Sequence, residues 1–83
     1  MKLSIRYFAS IREAVGLSQE SVETSATALG GLRDELIARG GAYAQALARG
    51  KAVRMALNQV MVDESAALSE GAEVAFFPPV TGG

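Results

Sequence analysis

One amphipathic helical segment lies in the middle of this chain and limits its fold more than any other feature. Four apolar residues follow the i, i+3, i+7, i+8 spacing of a single helix face, namely Leu29, Leu32, Leu36 and Ile37. Thr27 offers an N-cap, and Gly40-Gly41 predicts the end of the helix. Gly30 and Gly31 each cost about 1 kcal/mol relative to alanine, so the first turn is either weak or packed unusually close to a neighbour. The apolar stripe predicts a helix that covers one face of another layer.

Two segments before this helix predict strands. Residues 2–8 alternate, and their apolar face consists of Leu3, Ile5 and Tyr7. Phe8 falls on the opposite face, where it either ends the strand or contributes to an exposed apolar patch. Residues 18–24 are polar and only weakly strand-like, so we expect an edge strand there.

Two further segments predict short helices. The sequence Ser10-Ile11-Arg12-Glu13 has the pattern of a capping box, which predicts a helix to about Val15 with a left-handed exit at Gly16. Residues 42–49 predict a second short helix closed by Gly50. We expect these two short helices to accompany the central one, which is the main helix.

The last third of the chain predicts three more strands. A third strand alternates through Val53, Met55 and Leu57, and Asn58-Gln59 suits a tight turn into a short strand at residues 60–62. Ser69-Glu70-Gly71 predicts a turn into the last strand, residues 73–77. Within that strand Val74 and Phe76 face one way and Phe77 the other.

The order of these elements predicts one α+β domain of the ubiquitin-like β-grasp type. In that architecture a mixed sheet is covered by one main helix, here with short helices added. We expect residues 1–77 to form the β-grasp domain and residues 78–83 to form an extended, flexible C-terminal tail. The N-terminus lacks the apolar core of a signal peptide, and no apolar run approaches the roughly 20 residues of a membrane helix. We therefore expect a cytoplasmic protein with no membrane partner.

Missing residue types restrict the chemistry of this chain. It contains no cysteine and no histidine, which removes thiolate nucleophiles, imidazole acid–base chemistry and the usual zinc ligands. A phosphate-binding loop of the GxxxxGK[ST] type is also absent. We therefore expect no metal site, no directly bound cofactor and no catalytic side chains.

The charges are distributed unevenly along the sequence. All 8 basic residues lie at or before Arg54, and the acidic residues that follow are Asp63, Glu64, Glu70 and Glu73. This acidic last third is either a solvated surface or a face that steers the protein toward a basic partner. A nucleic-acid role is disfavoured, because the sequence has no basic patch interleaved with aromatic residues.

The sequence ends in FFPPVTGG, whose prolines stop the last strand. Pro78 and Pro79 have φ fixed near −65°, which favours an extended polyproline conformation and blocks ladder pairing. The four residues beyond Pro79 reach at most about 13–14 Å. Gly82 and Gly83 have no Cβ and can enter a narrow channel, where the α-carboxylate of Gly83 is the one group that adenylation would make reactive. The alternative is a frayed chain end without function.

The stretches GAEVAFFPPVTGG, SIRYFASIREAVG and LRDEL resemble the small subunit of molybdopterin synthase, over the full chain. That family consists of ubiquitin-like β-grasp proteins that carry sulfur as a C-terminal thiocarboxylate. The resemblance implies a non-catalytic sulfur-donating subunit in molybdenum cofactor biosynthesis. A ubiquitin-activating-type enzyme would adenylate Gly83 with ATP, and the resulting thiocarboxylate would donate sulfur to cyclic pyranopterin monophosphate in the large catalytic subunit.

The resemblance also implies roles for individual residues. The tail inserted into the large subunit would consist of Pro79, Val80, Thr81, Gly82 and Gly83. Phe8 and Phe76 match aromatic positions of the apolar surface that contacts both partners, although simple core packing is the other explanation for each.

Three other functions remain open from the sequence. The Gly-Gly ending is shared with thiamine-type sulfur carriers and with ubiquitin-like modifiers conjugated to lysines, here through Gly83. FFPPVTGG argues against the thiamine pathway. The third alternative is an interaction domain with an inert tail, which would keep full function after deletion of the last two residues.

Overall fold

A computed structural model describes residues 1–79 as five strands and three helices. The elements in chain order are β1 (Lys2–Tyr7), α1 (Ala9–Val15), β2 (Gln19–Glu23), α2 (Leu29–Ile37), α3 (Gly41–Ala46), β3 (Arg54–Leu57), β4 (Val60–Val62) and β5 (Glu73–Phe77). None of the helices in this part of the chain combines the length and the apolar character that a membrane crossing requires.

The five strands form one mixed sheet in the order β2-β1-β5-β3-β4. Strands β1 and β5 pair in parallel, and the other neighbours pair antiparallel. The β2 strand lies at an edge, as its polar sequence predicts. This topology, with α2 as the main covering helix, confirms the predicted α+β β-grasp fold.

The core lies between the helices and one face of the sheet. The alternation in β1 is confirmed, since Leu3, Ile5 and Tyr7 are all buried. The apolar stripe of α2 is confirmed at three positions that are almost fully buried, namely Leu29, Leu32 and Leu36. The main helix therefore covers the face of the sheet that the sequence pattern predicts.

Two local predictions are confirmed in the backbone. Asn58 and Gln59 have φ of 50° and 70°, which is the left-handed geometry of a tight hairpin turn between β3 and β4. Gly16 follows α1 with φ 81°, the predicted left-handed exit.

Both predicted N-caps are wrong. The capping box at Ser10–Glu13 fails because the chain already turns at Ala9, with φ 51°, and the N-cap is Phe8 without a side-chain hydrogen bond. The carbonyl of Phe8 accepts hydrogen bonds from the amides of Ile11 and Arg12. These two amides in the first turn of α1 are therefore hydrogen-bonded to a backbone carbonyl and not to a capping side chain.

Helix α2 is capped by a distant part of the chain instead of by Thr27. Its N-cap is Ala28, and the amides of Leu29 and Gly30 donate to the carbonyls of Ala66 (3.0 Å) and Glu64 (2.9 Å). This segment passes so close that a Cβ on Gly30 would lie 3.1–3.3 Å from atoms of Glu64. The unusually close packing expected from the glycines is thus confirmed.

Helix α3 is shorter than the predicted 42–49 segment. It ends at Ala46, before Gly50. The carbonyls of Leu47 and Ala48 accept hydrogen bonds from the side chain of Arg33 on α2, at 2.8 and 2.7 Å. These tertiary contacts hold residues 47–51 in a loop where local sequence favours a helix.

Candidate functional site

The tail predicted to carry the function leaves the fold from the middle of the sheet. Strand β5 lies between β1 and β3 and ends at Phe77, whose partner on β3 is Arg54. Pro78 and Pro79 follow without regular secondary structure and are both half-buried. A strand paired on both sides gives the tail a rigid base.

Four of the predicted site residues lie outside the described part of the chain. They are Val80, Thr81, Gly82 and Gly83. Strand β5 ends at Phe77. The division into a domain and a tail after residue 77, and the role of the tail, stay predictions.

Phe76 does not lie on the surface, contrary to its expected place at a partner interface. It is 0 % exposed and stacks on Tyr7 with ring centroids 6.2 Å apart. A side chain buried in this way cannot touch a partner directly. Core packing, the alternative explanation, is the correct one for Phe76.

The aromatic residue that lies beside Phe8 is Phe77. Phe8 is 39 % exposed, and its ring meets the half-buried ring of Phe77 edge-to-face at 6.3 Å. The alternation within β5 contained this signal, since it places Phe77 on the face opposite Phe76. The role of Phe8 in partner binding stays a prediction.

These two rings belong to the sheet face that the helices leave uncovered, here called the open face. Cross-strand pairing places one row of side chains on it, from Arg6 through Ala75 and Ala56 to Met61. Met61 is 52 % exposed, and the Arg6 guanidinium lies 5.5 Å from the centroid of the Phe8 ring. The open face is therefore apolar and aromatic near the base of the tail.

The basic side chains on the open face that lie nearest the tail are two arginines. Arg6 and Arg54 are both exposed, and Arg54 lies directly across from Phe77. Glu73 belongs to the same face and lies 4.0 Å from Arg6 as a surface ion pair. The base of the tail is thus flanked by two arginines.

The acidic last third does not form one continuous acidic face. Glu64 pairs with Arg33 and Arg49 across the start of α2. Glu70 accepts a hydrogen bond from the amide of Lys2 at 3.0 Å. Asp63 accepts from the amide and hydroxyl of Ser65, and these bonds hold its pKa below the ordinary value. Together with the Arg6–Glu73 pair, these contacts give each acidic residue a partner inside the protein.

The carboxylate of Glu20 on β2 joins this strand to β1, to α3 and to the turn between α2 and α3. Glu20 accepts hydrogen bonds from the hydroxyls of Tyr7 and Tyr43, both at 2.8 Å, and from Arg39 at 3.0 and 3.1 Å. Burial by itself would raise the pKa of Glu20, but the hydrogen bonds outweigh it and the pKa is lowered. Burial and the contact with Glu20 raise the pKa of Tyr7. These hydrogen bonds hold the Glu20 carboxylate, both tyrosine hydroxyls and the Arg39 side chain together, and we interpret the group as structural.

No group of three or more acidic, histidine or cysteine side chains within residues 1–79 is arranged to hold a metal ion. The described residues therefore offer an interaction surface and a rigid base for the tail.

Comparison with known proteins places these features in a family. The ThiS family model matches residues 5–83. The molybdopterin synthase sulfur carrier subunits of Escherichia coli and Haemophilus influenzae are 40 % and 37 % identical over 81 residues, covering 98 % of this chain and 99 % of each relative. A chain in the complex of subunits 1 and 2 of the molybdopterin-converting factor from Helicobacter pylori is 26 % identical with a TM-score of 0.70, and the match covers 100 % of both chains.

Proposed function

The chain belongs to the ThiS family and is a sulfur carrier in molybdopterin biosynthesis, and from this premise we propose that Gly83 is the residue that carries the sulfur. The observation that supports the proposal is the likeness to curated sulfur carrier subunits along 98 % of the chain. In this proposal the reactive group is the α-carboxylate of Gly83, and Gly82 before it has no side chain that would obstruct a narrow channel.

The chemistry follows from the low reactivity of a carboxylate. Its oxygen is a poor leaving group, so a partner enzyme of the ubiquitin-activating type must first join Gly83 to AMP, using ATP and releasing pyrophosphate. A sulfur nucleophile then displaces AMP and leaves a thiocarboxylate. The carrier itself binds no cofactor in this scheme, and ATP belongs to its partner.

The second partner is the large catalytic subunit, into which Pro79 to Gly83 would insert. There the thiocarboxylate gives its sulfur to cyclic pyranopterin monophosphate, and two such transfers build the dithiolene. The chain acts as the sulfur-donating subunit of a sulfurtransferase and contributes no catalytic side chain. We place the whole cycle in the cytoplasm.

The open face is the docking surface in this proposal. Phe8 and Phe77 supply rigid aromatic contact area next to the point where the tail starts. Docking through this face would align the tail with the channel of the large subunit, since β5 carries both the surface and the tail.

The intact mass of the protein tests the proposal directly. Protein purified from cells that make molybdenum cofactor should contain a species in which one oxygen has been exchanged for sulfur. Deletion of Gly83 should remove that species. Protein that stays unmodified after incubation with ATP, the adenylating enzyme and a sulfur source would refute the carrier role of Gly83, and a series of heavier protein conjugates would instead indicate a modifier.

A further inference from the structure

A cavity of about 150 Å³ lies between α1, α3 and the segment that leads into β3, and Pro78 is one of its lining residues. Two other lining residues, Ile11 and Ala46, belong to the core and are only 4 % and 8 % exposed. Ala14 and Ala52 also line the cavity, and both are exposed. The cavity therefore opens at the surface and reaches down to the edge of the core.

Small side chains leave this space unfilled. Helices α1 and α3 contact each other, and at the cavity they contribute the alanines Ala14 and Ala46. Apolar atoms that line a void lack the dispersion contacts that a packed side chain would give them. An apolar cavity of about 150 Å³ can hold one benzene molecule, so this one has room for a single leucine or phenylalanine side chain.

The charge at the cavity is positive. Lys51 lines it, and none of the described residues that line it is acidic. Lys51 is exposed, and no ion pair joins it to a carboxylate of residues 1–79. Arg54, three residues further along the chain, is exposed as well. The cavity is therefore complementary to an apolar side chain that has a carboxylate beside it.

The cavity and the open face meet where β5 ends. The amide of Phe8 donates to the carbonyl of Phe76, and the carbonyl of Phe8 accepts from the amide of Ile11, both at 3.1 Å. Phe8 thus joins the end of β5 to α1, with its ring on the open face and Ile11 at the cavity. The consecutive residues Phe77 and Pro78 are divided in the same way. A protein that covers the open face at this end of the sheet also reaches the cavity.

We propose that this cavity, here called the anchor pocket, receives one apolar side chain of the large catalytic subunit, with a carboxylate of that subunit beside Lys51. The inference rests on the proposed function, which brings the large subunit to this end of the sheet. Interfaces are held mainly by a few side chains that fill well-packed pockets. Phe8 and Phe77 project from this protein toward its partner, and the anchor pocket is the feature that takes a side chain in return.

Isoleucine methyl groups provide a direct test in the wild-type protein. The chain contains three isoleucines, and Ile11 is the one that lines the anchor pocket, whereas Ile5 is fully buried and Ile37 lies on α2. In protein labelled at the isoleucine δ1 methyl groups and bound to the large subunit, Ile11 should show nuclear Overhauser contacts to methyl or aromatic protons of the partner. Ile5 and Ile37 should show none. A complex that forms without such a contact at Ile11 would overturn the inference.

Two substitutions fill the anchor pocket from different sides. Ala14→Leu fills it from α1, and Ala52→Leu fills it from the segment before β3. Each should weaken the Kd for the large subunit on the order of 10- to 100-fold, which corresponds to one apolar side chain that is no longer buried. Because Ala52 lies outside the helices, its variant keeps the inference testable if Ala14→Leu does not fold.

Ala38→Leu is the matched control for these two variants. Ala38 is an exposed alanine at the end of α2 and does not line the anchor pocket. Its Kd for the large subunit should equal that of the wild type. A wild-type Kd in the folded filling variants, or an equal loss of affinity in Ala38→Leu, would overturn the inference.

The two lysines of the chain test the charge beside the pocket. Lys51→Gln and Lys2→Gln remove the same charge, but Lys2 lies at the start of β1, the end opposite to Tyr7 and Phe8. Lys51→Gln should weaken the Kd about 2- to 5-fold, as for a partly exposed ion pair, and should make binding less sensitive to salt. Lys2→Gln should change neither quantity. Equal behaviour of the two variants would overturn the predicted carboxylate beside Lys51.

The remaining outcomes separate this inference from the proposed function. Filling variants that lose affinity for the adenylating enzyme, and not for the large subunit, would assign the pocket to that enzyme and overturn the inference as stated. Normal binding of the filling variants by a wild-type level of sulfur transfer would overturn the anchor pocket alone. A wild-type protein that carries no transferable sulfur would overturn the role of Gly83, while the Ile11 contacts would still decide the anchor pocket.

Discussion

Separate replacement of Phe76 and Phe77 tests whether the exposed aromatic side chain, and not the buried one, binds the partner. Phe76 is fully buried against Tyr7, whereas Phe77 lies on the open face beside Phe8. The two positions are adjacent in sequence and lie in the same strand. Each therefore serves as the matched control for the other.

The expected stability effects follow from burial. A domain of 83 residues has an unfolding free energy of about 4–12 kcal/mol. Phe76→Ala would remove about 3–5 kcal/mol of this, so Phe76→Leu is the better variant, with a loss of about 1–3 kcal/mol. Phe77→Ala loses mainly the edge-to-face contact with Phe8, about 0.5–1.5 kcal/mol.

For binding to the large subunit we expect the opposite order, with the larger effect at Phe77 and none at Phe76. Phe77→Ala should weaken the Kd for the large subunit by at least about 2 kcal/mol, or about 30-fold, if the ring is an interface anchor. Phe76→Leu should leave the Kd unchanged. Urea unfolding followed by circular dichroism gives the stabilities, and isothermal titration calorimetry gives the Kd values. A folded Phe76→Leu protein that binds weakly, beside a Phe77→Ala protein that binds normally, would refute the assignment of the open face.

Three further outcomes are expected. Gly82→Val should still dock but transfer no sulfur, because a branched side chain blocks a narrow channel; normal single-turnover transfer would contradict the tail mechanism. Glu20→Gln should reduce stability near neutral pH. Because folding lowers the Glu20 pKa, the stability that Glu20 contributes is present above the unfolded pKa of 4.5 and is lost as the pH falls through the folded pKa. A plot of unfolding free energy against pH in the acid range should therefore be flatter for the variant than for the wild type. Arg54→Glu should slow association with the large subunit and change its dependence on salt if the arginines face an acidic surface; an unchanged rate would argue against steering by Arg54.

The sequence by itself determined the order of the elements and the faces of the strands. A strand has a repeat of two and a helix a repeat of 3.6, so the alternation in β1 and the stripe on α2 identify the buried side chains without any knowledge of their neighbours. The turn at Asn58-Gln59 and the exit at Gly16 depend on backbone preferences of a few residues. Such signals can be recognised in the sequence of a short segment, without knowing what packs against it.

The tertiary structure decided how the segments satisfy one another. The first amides of α2 donate their hydrogen bonds to the carbonyls of Glu64 and Ala66, which replace the predicted Thr27 cap. Arg33 looks like an ordinary helix residue in the sequence, yet its side chain is buried and donates hydrogen bonds to the carbonyls of Leu47 and Ala48 in the loop after α3. Both contacts join residues far apart in the chain, so no local pattern contains them.

The open face beside the tail was likewise predictable only in part from the sequence. Alternation within β5 separates Phe76 from Phe77, and this local signal is enough to place them on opposite faces. The packing of α2 decides which of the two faces stays uncovered. The strand register decides which charges lie on that face, because it brings Arg6 and Arg54 beside the aromatic rings. Local periodicity sets the sides of each strand, and only the packing of distant segments turns one side into core and the other into a surface.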